Sequence, residues 1–198
     1  MFRVRPYSAE DLPHLFDICL LTGDSGRDGT AVFSDRDLVG HYYAAPYPAY
    51  DSAHCLVLAD EQGPAGYILG AIDTESFVRW FNREYLPPLR EIYRDHSPLK
   101  SGNDGWLFET MRRDALAPVW VEDYPAHLHI DLLPRAQGKG LGRQLFETWT
   151  RQAVAAGASG VHLGVSKSNL NAIQFYEHMG MKRHEDAGGA WMYVMKLR

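Results

Sequence analysis

Arg135-Ala136-Gln137-Gly138-Lys139-Gly140-Leu141-Gly142-Arg143 is the stretch whose reading decides the fold. Before it, His127-Leu128-His129-Ile130-Asp131-Leu132 alternates polar and apolar residues, the period of a half-buried strand. After it, Leu141 to Ala156 reads as a helix, with Leu141, Leu145, Trp149 and Ala153 on one face and Gly157 and Gly160 as its stop. A glycine turn between a strand and a helix lets backbone approach a ligand closely, and the first N–H groups of the helix have no intrahelical partners. Those donors and the positive end of the helix dipole make an anion site suited to phosphate. Spacing excludes two phosphate loops. The Walker pattern Gly-x-x-x-x-Gly-Lys-Ser/Thr is not met, and the dinucleotide pattern Gly-x-Gly-x-x-Gly fails at Arg143 counted from Gly138 and at Leu145 counted from Gly140.

Working outward, Phe2-Arg3-Val4-Arg5 alternates as a strand, and Ser8 with Asp11 reads as a capping box opening a helix that buries Leu12, Leu15, Phe16 and Cys19. Residues 22–29, rich in glycine and aspartate, read as loop. Ser34 or Asp35 caps a short helix through Tyr43, which Pro46 and Pro48 are expected to end. The apolar runs 53–60 and 65–73, joined by Asp60-Glu61-Gln62-Gly63-Pro64, predict a hairpin of buried strands. Residues 74–125 break the pattern with mixed charge, prolines and aromatics. They read as an insertion laid over the sheet, with short helices around 75–85, 88–95 and 105–114. Beyond the turn, Val161–Val165 reads as a strand, Asn169 to Met179 as a helix stopped by Gly180, and Trp191–Leu197 as a closing strand.

With 198 residues, one domain is expected, spanning 1–198 with the insertion at about 74–125, and 45% hydrophobic content supplies a sizeable core. A formal net charge of −5 lacks the basic footprint of a nucleic-acid binder, so no such partner is expected. No stretch approaches the roughly 18 apolar residues that cross a bilayer, and Pro6, Glu10 and Asp11 stand where a signal peptide needs an apolar run. A soluble, cytoplasmic protein with no membrane partner is expected. Cys19 and Cys55, both in apolar runs, read as buried reduced thiols.

Arg135-x-x-Gly138-x-Gly140 resembles the pyrophosphate-binding turn of the GNAT family of N-acetyltransferases. Arg3-Val4-Arg5-Pro6 followed by Glu10-Asp11-Leu12 resembles that family's first strand and helix. Asn169-Leu170-Asn171-Ala172-Ile173-Gln174-Phe175-Tyr176-Glu177-His178-Met179-Gly180-Met181 resembles its Asn-x-x-Ala-x-x-x-Tyr-x-x-x-Gly-Phe segment, with Met181 in place of Phe. The resemblance implies an α/β (α+β) fold with a mixed central sheet and helices on both faces. Within the family, His129 to Gly138 and the aromatic insertion resemble bacterial relatives of the acetyltransferase-like C-terminal domain of O-GlcNAc hydrolases.

The resemblance implies acetyl-CoA as co-substrate, with no metal, and transfer by direct attack of a primary amine belonging to a small molecule or peptide. The backbone N–H groups of Gln137, Gly138, Lys139, Gly140, Leu141 and Gly142 would hold the pyrophosphate, with Arg135 and either Lys139 or Arg143 adding charge. Backbone at Leu132 and Leu133 would pair with the pantetheine arm where the strand parts from strand 161–166. Asn169 would steady the cofactor while capping its helix. Tyr176 follows it by seven residues, two helical turns, and would protonate the leaving thiolate. For the base, Asp131 comes first and His129 second, with Asp73 and Glu109 open as further candidates. Two other readings stand beside this one. The same fold could serve as a non-catalytic module that binds acetyl-CoA or a partner. Alternatively, His127-x-His129-x-Asp131 could be the ligand run of a zinc hydrolase, although Leu132 stands where that motif continues with His. Oligomeric state is not legible.

Overall fold

A computed structural model describes residues 1–94 and 103–198. Its strands are β1 (Arg3–Pro6), β2 (Cys55–Asp60), β3 (Gly63–Ala71), β4 (Ala126–Leu132), β5 (Gly160–Ser166), β6 (Lys182–Asp186) and β7 (Ala190–Lys196). They form one seven-stranded sheet in the order β1-β2-β3-β4-β5-β7-β6. Among the described residues only the central β4–β5 pair is parallel. The helices are α1 (Leu12–Leu21), α2 (Leu38–Tyr43), α3 (Pro46–Asp51), α4 (Thr74–Trp80), α5 (Leu86–Ile92), α6 (Asn103–Met111), α7 (Leu141–Ala155) and α8 (Leu170–His178).

Strand alternation divides the core in two. Leu56 and Leu58 of β2 face Leu145, Trp149 and Ile173 of α7 and α8. Cys55, Val57 and Ala59 face the other way, towards Leu15 and Ile18 of α1, Leu38 of α2, and Leu89, Leu107 and Met111 of α5 and α6. Helices therefore cover both faces of a mixed sheet. The segment between β3 and β4 supplies α4, α5 and α6, close to the expected helices; the end of the second, at residue 95, lies outside the described residues.

Local chemistry explains most boundaries. Ser8 and Asp11 form the expected capping box, which first winds a short 3-10 turn, Ala9–Asp11. Arg5 reaches the Asp11 carboxylate with two bonds of 2.6 Å, and this pairing holds the Asp11 pKa below the usual carboxylate range. In α1, Leu15 and Cys19 are buried as expected, joined by Ile18 and Leu20, while Leu12 and Phe16 are half-buried. Pro46 does not simply end a helix: it occupies the first position of α3, where its missing N–H costs no hydrogen bond. The edge strand β6 carries no apolar alternation, since Lys182 to Asp186 are all exposed, and sequence reading did not find it.

Two features position the site. Gly70 in β3 lies under the Trp149 indole, so close that a Cβ would sit 2.2 Å from the ring. The indole Nε1 donates to the His54 carbonyl at 3.0 Å, which seats α7 against the sheet. Next, β4 and β5 pair only at Ala126–Val161 and His127–His162 and then separate. At this root His127 Nδ1 lies 2.8 Å from Thr74 Oγ1, and His162 Nδ1 lies 2.7 Å from the Tyr124 carbonyl.

Candidate active site

The gap between the separating strands opens into a cleft of about 560 Å³. Leu133 N–H donates to Ala65 O at 2.8 Å, so in β4 the odd-numbered residues bond β3. By the same alternation Ile130 and Leu132 turn their N–H and C=O groups towards β5, beyond the last paired position. The Leu132 carbonyl is taken by the Gln137 side-chain amide at 2.8 Å.

At one end of the cleft the chain passes from a 3-10 turn, Pro134–Ala136, through Gly138 (φ 69°) and Gly140 (φ 74°) into α7. Both glycines occupy the left-handed region, and a Cβ on either would meet nothing within 4 Å. The first bond of α7 runs from Gln144 N–H to the Gly140 carbonyl at 3.1 Å, leaving the N–H groups of Leu141, Gly142 and Arg143 ahead of the ladder. Beside them the Arg143 guanidinium donates to His178 Nε2 at 2.6 Å.

The other wall is α8. Asn169 caps it, its side-chain oxygen accepting Ala172 N–H at 3.1 Å. The loop 22–29 reaches across to this corner: Ser25 Oγ lies 2.7 Å from Ser168 Oγ, and a Cβ on Gly26 would sit 3.1 Å from Asn169 Nδ2. Tyr176, 7% exposed, packs against Phe175 and Tyr193 with ring centroids at 5.3 and 6.2 Å. Its hydroxyl makes no hydrogen bond among the described residues. Burial first, and the Asp131 charge second, raise its pKa, so it keeps its proton.

On the opposite face of β4, Asp131 Oδ2 accepts the Tyr67 hydroxyl at 2.6 Å and lies 2.9 Å from His129 Nε2. Burial alone would lower the His129 pKa, but the adjacent carboxylate outweighs it and pushes the value up to about 10. Cys19 of α1 completes the group, its thiol pKa raised by burial.

Leu132, Gln137, Gly138, Gly140, Leu141, Gly142, Arg143, Asn169, Tyr176 and Asp131 all line the cleft. Four expected residues do not. Arg135 turns away, donating to the carbonyls of Pro64 (2.8 Å) and Gly63 (3.2 Å) in the β2–β3 turn, with Asp60 at 3.5 Å, so it braces the hairpin instead of supplying charge. Lys139 folds back onto the Arg135 carbonyl at 2.8 Å and over the Phe2 ring. Leu133 spends its N–H on Ala65 and its C=O on Ala136, so that backbone is not open to an added strand. His129 is absent from the cleft lining and is turned to Asp131 at 2.9 Å, a pairing that raises its pKa. Of the further base candidates, Asp73 caps α4 through Ser76, and Glu109 is an exposed partner of Arg112. The His-x-His-x-Asp run is also not assembled: His127 is held by Thr74 and is absent from the group formed by Cys19, His129 and Asp131.

Among the lining residues that sequence reading missed are Gly26, Ala172, Phe175, His178 and Met179. Ala172, Phe175 and Met179 could have been found, since they follow Asn169 at helical spacing. Gly26 had no local signal, because loop packing brings it to Asn169.

The mixed sheet thus parts between β4 and β5 over a glycine turn, with the Tyr176 phenol in the facing wall. The chain belongs to the acetyltransferase (GNAT) family, whose model matches residues 29–181. The crystal structure of SsHAT is similar throughout, with 33% identity, a TM-score of 0.89, and coverage of 100% of this chain and 98% of that one. The PaiA N-acetyltransferase of Thermoplasma acidophilum, solved in complex with coenzyme A, shares the fold at 14% identity and TM-score 0.60, covering 99% of each chain. Protein O-GlcNAcase of Rattus norvegicus is 22% identical over 188 residues, 91% of this chain and 20% of its own length. The chain therefore spans about a fifth of the length of the curated relatives it matches. Among the described residues no helix is long and apolar enough to cross a membrane.

Proposed function

We propose that the chain transfers an acetyl group from acetyl-CoA to a primary amine on a small molecule or peptide. The observation that carries this reading is the cleft at the β4–β5 separation, which joins an open strand edge to the free N–H groups of α7. The residues suit coenzyme A. The Ile130 backbone and the Leu132 N–H face the gap and suit an amide-bearing arm, as in strand addition, while the Leu132 carbonyl is held by Gln137. Gly138 to Gly142 offer oriented N–H groups, with positive dipole and left-handed glycines, to a pyrophosphate. Arg143, with His178 beside it, adds charge at that end, and Asn169 borders the cleft from α8.

Acetyl-CoA supplies an acyl carbon already activated by a thiolate leaving group. The amine forms a C–N bond as the C–S bond breaks. Tyr176, kept protonated by its surroundings, donates its proton to the departing sulfur. Asp131, lining the cleft and anchored by the Tyr67 hydroxyl, accepts the proton that the amine gives up.

Thermal unfolding with and without acetyl-CoA tests the reading. A ligand that binds only the native state at 100 times its Kd stabilises it by about 2.7 kcal/mol. An unchanged melting temperature at millimolar acetyl-CoA overturns cofactor binding, and mass spectrometry of an amine panel reports transfer.

A further inference from the structure

Behind the cleft, one strand face of β4 and one turn of α1 bring three metal-ligating groups together. His129 and Asp131 are two residues apart and so share a face of the strand. Cys19 meets them from α1, and the thiol sulfur, an imidazole nitrogen and a carboxylate oxygen all lie within 4.8 Å of one another. A second observation singles out this place. His129 Nε2 is buried and lacks a well-formed hydrogen bond, facing Asp131 Oδ2 in an ion pair at 2.9 Å. Buried polar atoms in native structures nearly always have a partner. Here that nitrogen lies among two other potential ligands, ion-paired with one of them.

We propose that Cys19, His129 and Asp131 form a three-ligand site for a borderline divalent cation, with zinc the best match. A thiolate, an imidazole and a carboxylate are the donor types that zinc takes, whereas magnesium and calcium require oxygen shells. Three protein ligands leave a fourth position for water. Zinc bonds of about 2.0–2.3 Å place tetrahedral donors roughly 3.5 Å apart, so small rotations of the Asp131 and His129 side chains close the set. The Tyr67 hydroxyl, 2.6 Å from Asp131, stays on the carboxylate and orients it. The ion reaches the site through the cleft, which Asp131 also lines. Coordination sends the Cys19 thiol proton and the His129 imidazolium proton to solvent, with no change of oxidation state. The site shares Asp131 with the acetyl-transfer reading, so a chain loaded with the ion would lack the free carboxylate proposed there as base, whereas ion binding itself is read without any acetyl transfer.

The test uses the full chain, freed of metal with a chelator. Equilibrium dialysis against zinc with elemental analysis should return one ion per chain. Titration with cobalt should give the absorption of thiolate-to-cobalt charge transfer, which a site without sulfur lacks. Cys19→Ser should weaken zinc binding by about 100-fold or more and erase that absorption. Cys55→Ser, altering the other buried thiol, should leave both unchanged. The proposal is overturned by absence of stoichiometric zinc at micromolar concentration, by a cobalt spectrum without charge transfer, or by a folded Cys19→Ser variant with unchanged affinity. The cobalt spectrum of the unaltered protein decides the matter by itself if Cys19→Ser does not fold.

Discussion

Gly140 has two separate reasons to be glycine. Its φ of 74° costs an L-residue roughly 1–2 kcal/mol, and its missing Cβ leaves open space in the cleft beside the first N–H groups of α7. Gly140→Glu would set a carboxylate against those donors, where an incoming phosphate must go. The variant should fold, by circular dichroism, and lose the rise in melting temperature that acetyl-CoA gives the unaltered chain. A rise of native size would move the anion site elsewhere. At Tyr176 the removable group is a single hydroxyl, since the ring packs against Phe175 and Tyr193 and remains in Tyr176→Phe. Acetyl-CoA affinity should hold while turnover, measured with an amine identified in the acceptor panel, falls by about 10²-fold, the low end for a general acid. The low end is appropriate because a thiolate leaves readily even unaided. Equal turnover would make Tyr176 a packing residue only.

The placement of α7 depends on contact between elements. Its Trp149 lies on Gly70 of β3, and the same helix carries the glycine turn at its start. Gly70→Ala inserts a Cβ where the indole stands, forcing the ring and then the helix outward. Overpacking of a core of this kind costs about 1–3 kcal/mol. Denaturant unfolding should show that loss, together with weaker acetyl-CoA binding; full stability would mean that the indole has room to yield. The same distinction between contiguous and assembled features explains what was legible in the sequence. The strand, glycine turn and helix at 126–156 are one continuous signal, so their backbone roles could be read directly. The directions of Arg135 and Lys139 could not, because the carbonyls of Gly63 and Pro64 that capture Arg135 come from a distant hairpin. Nor could the meeting of Cys19 with His129 and Asp131, which exists only once α1 lies across β4. The exposed strand β6 escaped because its pairing with β7 leaves no apolar period in its own residues.

Across the whole molecule, the cleft exists because one parallel pair stops early in an otherwise antiparallel sheet, and two histidines, His162 buried and His127 half-buried, sit at the stopping point. His127 and His162 oppose each other in the last paired rung, with ring centroids 5.7 Å apart. His162 is 4% exposed, and burial lowers its pKa below the ordinary value near 6.5. Its Nδ1 is committed to the Tyr124 carbonyl, in the segment leading into β4. A histidine with a depressed folded pKa binds its proton more readily in the unfolded chain, so its effect on stability runs in one direction. The full contribution is present above about pH 6.5 and is progressively lost as pH falls below that value. Between that pH and its folded pKa, one such group contributes a slope of about 1.4 kcal/mol per pH unit. His162→Gln keeps an amide donor available to the Tyr124 carbonyl but removes the titration. Its unfolding free energy, followed by urea denaturation from pH 7 to pH 5, should decline less steeply than that of the unaltered chain, by up to that one-proton slope. Parallel declines in the two proteins would mean that the acid sensitivity of the sheet arises elsewhere. A shallower decline in the variant would locate it at the rung where the cleft begins.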